Sequence, residues 1–327
     1  MTLWRQIQRQ NFTKLECLLD YLELDAELRV KISSRPQFPL NVPARLAAKM
    51  PKNCLDDPIV RQFLPLQEER NKNFSYKQDP VGDRQARHAP KLLRKYNGRS
   101  LIVTTSACAM NCRYCFRQHF SYAEQPGFER ELALIASDPS IKEVILSGGD
   151  PLSLGDTALG SLLNSLEQIA HIDLIRFHTR FPIGIPERID ASFLSMISRV
   201  KKQVVFVVHT NHAHEIDSDV ADALKQIQRL GIPVLNQAVL LRGVNDSISA
   251  LKELCHTLTS IGVMPYYLHQ LDEVDGAAHF EVPEEEGLSL IEELESQLPG
   301  YAIPRYVKEI AGEPSKTNLM KRELCTL

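Results

Sequence analysis

From residue 101 onward, short β-branched runs alternate with amphipathic stretches, and this alternation predicts the fold. The runs Leu101 to Thr105, Glu143 to Ser147, Leu174 to Thr179, Val204 to His209, Val234 to Val239 and Met264 to His269 have the length and apolar density of buried strands. Between them apolar residues recur at helical spacing. Val220, Leu224, Ile227 and Leu230 form one such stripe, stopped by Gly231 and Pro233. Leu251, Leu254, Cys255, Leu258 and Ile261 form another, stopped by Gly262, and place Cys255 on a core face. Strand and helix in alternation, with right-handed crossovers, give a parallel sheet, and six such units curl into a partial (β/α)6 TIM-like barrel, an α/β fold. Beyond it Glu284 to Glu286 open a helix carrying Leu288, Ile291 and Leu294, with the acidic residues at the positive end of its dipole. A further strand is expected from Ile303 to Glu309.

The first 95 residues read differently. Phe12, Leu15, Leu18, Leu19 and Leu22 lie at helical spacing, whereas the prolines of Phe38 to Pro43 and Asp57 to Pro65 break regular structure and predict a strap over the main body. The expected organisation is an N-terminal helical and extended segment (1–95), the barrel (96–280) and a C-terminal segment (281–327). No internal repeat or low-complexity tract interrupts it.

Composition narrows the function classes. Hydrophobic content of 43%, charged content of 24% and a net charge of -3 are ordinary globular values and give no reason to expect nucleic acid or anionic lipid as a partner. Apolar runs such as Val204 to Val208 are far too short to span a bilayer, and Met1 to Gln10 lacks a signal-peptide core, so the expected location is the cytoplasm. Seven cysteines, an odd number, fit a reducing compartment in which thiolates serve metals.

Three motifs carry chemistry. The stretch Cys108-Ala-Met-Asn-Cys112-Arg-Tyr-Cys115 leaves the end of the first strand, where barrel chemistry gathers. Three thiolates on one loop can hold three corners of an iron–sulfur cube and leave the fourth iron open. A zinc knuckle or free buried cysteines would be the plainer readings; Cys17, Cys54, Cys255 and Cys325 offer no obvious fourth ligand for zinc. The second motif, Ser147, Gly148, Gly149, Asp150 and Pro151, ends the second strand with paired glycines that let backbone approach a ligand; the alternative is a tight turn. The third, Gly312-Glu-Pro-Ser-Lys316-Thr, puts a lysine on a loop at a strand end, a position from which an amine can reach an aldehyde cofactor or simply stay solvated.

The CxxxCxxC spacing with Tyr114 before the third cysteine resembles the signature of the radical S-adenosylmethionine (SAM) enzymes. From about Phe38 to Lys316 the text is similar to one family within them, the lysine 2,3-aminomutases. The matching stretches include Cys112 to Arg117, Ser147 to Leu152, His209 to His212, Leu235 to Asp246 and Pro265 to Asp272. The ending Glu-Pro-Ser-Lys316-Thr is similar to the short bacterial branch whose β-lysine modifies elongation factor P.

The resemblance implies a 4Fe–4S cluster on Cys108, Cys112 and Cys115, SAM on its open iron, and pyridoxal 5'-phosphate (PLP) on Lys316. It implies that Asp272 and Glu309 face the distal ammonium of L-lysine and that Arg117 pairs with its carboxylate. Arg99 falls at an active-site arginine, while Ser147, Gly148, Gly149, Asp150, His209 and Gln237 fall where the family lines its cofactor sites. An electron donor of flavodoxin or ferredoxin type, and a functional link to elongation factor P and its lysyl-transferring ligase, are implied as partners.

The sequence departs from the family twice. Glu309 stands where aspartate is usual, which lengthens a carboxylate by one methylene. Larger members carry a C-terminal cysteine cluster for a structural metal; here only Cys325 lies in that region, so no such zinc is expected. A glutamate 2,3-aminomutase is the rival within the same chemistry, and it fits less well because Asp272 and Glu309 would repel an acidic side chain. A non-catalytic zinc module would need a fourth ligand and an exposed basic or aromatic face, and neither is evident. His209 and His212 could ligate a metal, but no carboxylate or cysteine stands at zinc spacing from them.

Overall fold

A computed structural model of the chain describes residues 2–71 and 73–321; Cys325 lies outside the described residues. Its strands, in chain order, are β1 (Arg87–Ala89), β2 (Leu92–Leu93), β3 (Arg99–Val103), β4 (Glu143–Ser147), β5 (Leu174–Thr179), β6 (Gln203–His209), β7 (Val234–Val239), β8 (Met264–His269), β9 (Arg305–Lys308) and β10 (Thr317–Asn318). They form one sheet in that order. From β3 to β9 every neighbouring pair is parallel, while β1, β2 and β10 add antiparallel strands at the two ends.

Helices Asp156–Glu167, Ser218–Gln228, Ile248–Ser260 and Glu284–Gln297 supply crossovers; of the predicted stripes Val220, Leu224, Ile227, Ile291 and Leu294 are buried, whereas Leu230, just past its helix, is exposed and Leu288 and Ile261 are half-buried. Leu251, Leu254, Cys255 and Leu258 are all buried on one of them. Each strand then divides its residues between two environments. Along β5, Ile175 and Phe177 pack into the main apolar core, whereas Arg176 and His178 point to the sheet's inner side, where a cavity lies. The alternation is the period of two that a strand imposes.

Several boundaries differ from the sequence expectation, among them β9, which spans Arg305–Lys308 rather than Ile303 to Glu309, and β6, which starts one residue early at Gln203. The first long strand starts at Arg99 rather than Leu101, because Gly98 turns the chain with φ +74° and Thr104 and Thr105 are taken up by the loop that follows. Residues 87–93, within the stretch expected to be helical or extended, pair with the sheet; strands of two or three residues show no detectable period.

The N-terminal segment lies against the cysteine loop and grips it, but Asp57 to Pro65 is not the extended stretch expected: Pro58 opens the helix Pro58–Phe63, capped by Asp57, at a first-turn position where its missing N–H costs nothing. Asn41 Nδ2 donates to the Cys108 carbonyl at 3.2 Å and Asn11 Nδ2 to the Ala109 carbonyl at 2.8 Å. The Arg113 amide donates to the Gln62 carbonyl at 2.9 Å, and the buried Arg113 guanidinium pairs with Glu69 at 2.5 Å. None of the described helices is long and apolar enough to cross a membrane.

Candidate active site

The cysteine loop starts where β3 ends and is tied to the end of β4. Thr104 donates from its amide to the Ser147 carbonyl at 2.9 Å, Gly149 to Thr105 at 2.6 Å, and Asp150 to Ala107 at 2.8 Å. These contacts explain the paired glycines. A Cβ on Gly149 would lie 2.3 Å from the Ala107 carbonyl oxygen, and one on Gly148, at φ +129°, 2.8 Å from that of Thr105. The loop backbone occupies the space a side chain would need. Burial raises the Cys108 thiol and pushes Cys115 up to about 12, and each lies close enough to its neighbours to feel their charge. Such desolvated thiols favour a cationic iron centre that deprotonates them.

Asp150 does not face a cofactor space. Its carboxylate accepts from the Leu152 amide at 3.0 Å, the Thr179 hydroxyl at 2.7 Å and the Arg180 amide at 2.7 Å. It staples β4 to β5 instead, and burial pushes its pKa up to about 6 against those hydrogen bonds.

Inside the sheet lies a cavity of about 410 Å³, within the range of small-molecule sites. Arg99, Arg117, Ser147, His209, Gln237, Asp272, Glu309 and Lys316 all line it. The fold therefore brings together residues from β3, β4, β6, β7 and the ends of β8 and β9. Cys108, Cys112, Cys115, Gly148 and Gly149 lie outside its wall and reach it through Ser147 and Arg117. His212 does not share the cavity with His209; its Nδ1 accepts from the His214 amide at 3.2 Å and caps a turn.

A ladder of alternating charge crosses this site. Arg117 donates from Nη1 to Ser147 Oγ at 3.2 Å and pairs through Nε with Asp83 at 2.7 Å. Lys95 bridges Asp83 at 2.7 Å and Glu309 at 2.8 Å, and Glu309 pairs with Lys316 through its other oxygen. Burial pulls Glu309 up, but the Lys316 and Lys95 cations outweigh it and hold its carboxyl well below the usual range. Asp272 goes the other way. Its recessed position, and then the Glu309 charge, push it up to about 7.

The cavity also holds polar atoms with no protein partner: Ser100 Oγ and the Nε2 atoms of His178, His209 and His269. Burial lowers the pKa of all three histidines, His209 to about 3, so they stand neutral and able to accept or donate to a ligand. Arg99, Arg176 and Arg305 line the same space and suit a phosphate, while Lys316 offers a primary amine for an aldehyde. The donor set thus fits PLP, and the three-thiol loop fits a 4Fe–4S cluster.

Sequence reasoning missed Asp83, Lys95, Arg176, His178, His269 and Arg305. For Arg176 and His178 a signal exists: they are polar residues at alternate positions of a strand that parallel-sheet burial should make apolar throughout. Asp83 comes from the irregular stretch before β1 and Lys95 from the short loop between β2 and β3, and neither carries a comparable mark.

Residues 97–179 match the family described as a 4Fe-4S single cluster domain. The chain is 43% identical over 308 residues to the L-lysine 2,3-aminomutase of Escherichia coli (strain K12), covering 92% of this chain and 90% of the relative. Identity to the L-lysine 2,3-aminomutase of Haemophilus influenzae is 40% over 319 residues, 96% and 94% of the two chains. For the Clostridium subterminale L-lysine 2,3-aminomutase it is 31% over 323 residues, 97% and 77%. Among solved structures, Streptococcus suis SuiB bound to S-adenosylmethionine superposes with a TM-score of 0.50 at 14% identity, over 70% of this chain and 53% of that one, a likeness of fold alone.

Proposed function

Because the chain belongs to the L-lysine 2,3-aminomutase family, with the partial barrel of the radical SAM enzymes, we propose that it moves the α-amino group of L-lysine to the β-carbon. The observation that carries this reading is the charge layout of the cavity. A buried arginine, Arg117, and two carboxylates, Asp272 and Glu309, share one enclosed space, as a diamino acid with a single carboxylate requires.

When bound, the 4Fe–4S cluster and SAM supply a carbon radical that removes hydrogen, and PLP supplies the π-system through which nitrogen migrates. Cys108, Cys112 and Cys115 would hold the cluster, with the ends of β3 and β4 closed behind them by Gly148 and Gly149. Lys316 would hold PLP, and Arg99, Arg176 and Arg305 would surround its phosphate. Arg117, oriented by Asp83, would take the substrate carboxylate. Asp272 must ionise to meet the distal ammonium, while Glu309 keeps one oxygen on Lys95 and presents the other, now on Lys316, to it. A carbon radical and these charge contacts would both gain from the exclusion of water when substrate fills the cavity. A glutamate side chain would meet Asp272 and Glu309 with like charge.

We assign the product to β-lysylation of elongation factor P, on the similarity of the Glu-Pro-Ser-Lys316-Thr ending to the branch that serves it. The chain reconstituted anaerobically with iron, sulfide, SAM and PLP should convert L-lysine to β-lysine. Sodium borohydride should fix PLP covalently at Lys316, and Lys316→Ala should lose that label. Labelling at another lysine, or lysine recovered unchanged, overturns the proposal. For the elongation factor, intact mass from cells with and without the gene is decisive: an unaltered mass removes that assignment.

A further inference from the structure

Beside the cysteine loop, Arg180 follows directly on β5 and turns its guanidinium toward Cys112. Its Nη1 donates to Cys112 Sγ at 2.9 Å and also to the Tyr114 hydroxyl. Its Nη2 donates to Gln62 Oε1 at 2.7 Å and to Glu215 Oε2 at 2.5 Å. The side chain of Arg180 is 7% exposed and that of Glu215 is 0% exposed. Glu215 in turn accepts from the Asn211 amide at 2.9 Å, the His212 amide at 3.0 Å and Gln62 Nε2 at 3.1 Å. Every partner is itself anchored, so the guanidinium has one orientation, and that orientation aims an N–H at a sulfur.

A buried ion pair of this quality is expensive to assemble and contributes little net stability compared with apolar packing. Its placement against an iron-ligating thiolate gives it a chemical role. An N–H donor draws electron density from a cluster sulfur and so stabilises the reduced, more negative cluster. Glu215 balances most of the guanidinium charge, which leaves a directed hydrogen bond rather than a free cation beside the iron.

We infer that Arg180 is a positioning residue that sets the reduction potential of the cluster through Cys112, and that Glu215 limits how far it raises that potential. The inference rests on the cluster reading above. It concerns the one-electron reduction of the cluster by an external low-potential donor, with no bond formed or broken in the protein.

The test is a redox titration of the reconstituted holoprotein with titanium(III) citrate, followed by the electron paramagnetic resonance signal of the reduced cluster, with iron content measured in parallel. Glu215→Gln leaves the Arg180 charge unbalanced and should raise the midpoint. Arg180→Met combined with Glu215→Gln removes the donor without leaving a buried lone charge and should lower it. Each shift should be at least tenfold in the reduction equilibrium, about 59 mV for one electron. A simple packing defect would not move the two variants in opposite directions. Native iron content with the parental midpoint in the double variant overturns the inference. Should that variant fail to assemble a cluster, Arg180→Lys keeps the charge beside Glu215 and shortens the reach to sulfur; a parental midpoint there overturns it equally. A parent protein that takes up no iron would instead remove the proposed function, an outcome separate from any shift in potential.

Discussion

Asp272 is neutral below about pH 7 and charged above it, so its contact with an ammonium switches on as pH rises through that value. The kcat/KM for lysine should therefore show an acidic limb near pH 7, and Asp272→Asn should abolish the limb. Because a charge-assisted contact contributes roughly 1.5 to 3 kcal/mol, the variant should also lose about ten- to hundredfold in kcat/KM. A retained limb would assign the titration elsewhere. The same shift acts on folding with the opposite benefit: a carboxyl that holds its proton more tightly when folded loses stability as pH rises from the unfolded value toward 7. Glu309 invites a second substitution. It spans Lys95 and Lys316 with separate oxygens, a reach that the shorter Glu309→Asp cannot keep in full. That variant should alter either the preference between lysine and ornithine or the ratio of β-lysine enantiomers, read by chiral chromatography; constancy of both would show that Glu309 does not touch substrate. What the sequence disclosed at this scale were residues inside spelled-out motifs. The partners that set their charge, Asp83 and Lys95, escaped because contacts between loops leave no spacing to read.

At the scale of elements, the paired glycines join two loops rather than decorate one. Gly149→Ala drives a methyl into the Ala107 backbone, and backbone cannot yield as a flexible side chain can. The variant should lose most of its iron after reconstitution. Gly300→Ala is the control, since a Cβ there meets nothing within 4 Å, and it should load iron like the parent. Equal loading of both would mean that the close approach of loop and strand is not needed for the cluster. The strand windows were readable almost to the residue in β4, β5, β7 and β8, because apolar runs between helical stripes admit few alternatives. The terminal strands β1, β2 and β10 were not, since such short strands take their conformation from the neighbour they pair with.

Over the whole molecule, the strap is what closes the cysteine loop from outside, and Arg113 with Glu69 is its strongest tie. Arg113→Ala strands a largely buried carboxylate and should cost about 3 to 5 kcal/mol. A lowered Tm with faster alkylation of the loop cysteines in the metal-free protein is the expected result; unchanged alkylation would show that the strap does not guard them. Proline breaks suggested such a strap, but its grip on the loop depends on Asn11, Asn41 and Gln62, polar residues with no pattern until the fold brings them there. The other closure comes from the opposite end of the chain, where β9 and β10 form the hairpin that carries Glu309 and Lys316. During synthesis the strap and the three thiols emerge before the hairpin, at a pace of roughly 5 to 20 residues per second. The nascent chain thus passes through an interval in which the iron-binding loop is built but the lysine side of the chamber is still unmade, so metal loading before the hairpin docks would leave a cluster open to oxygen.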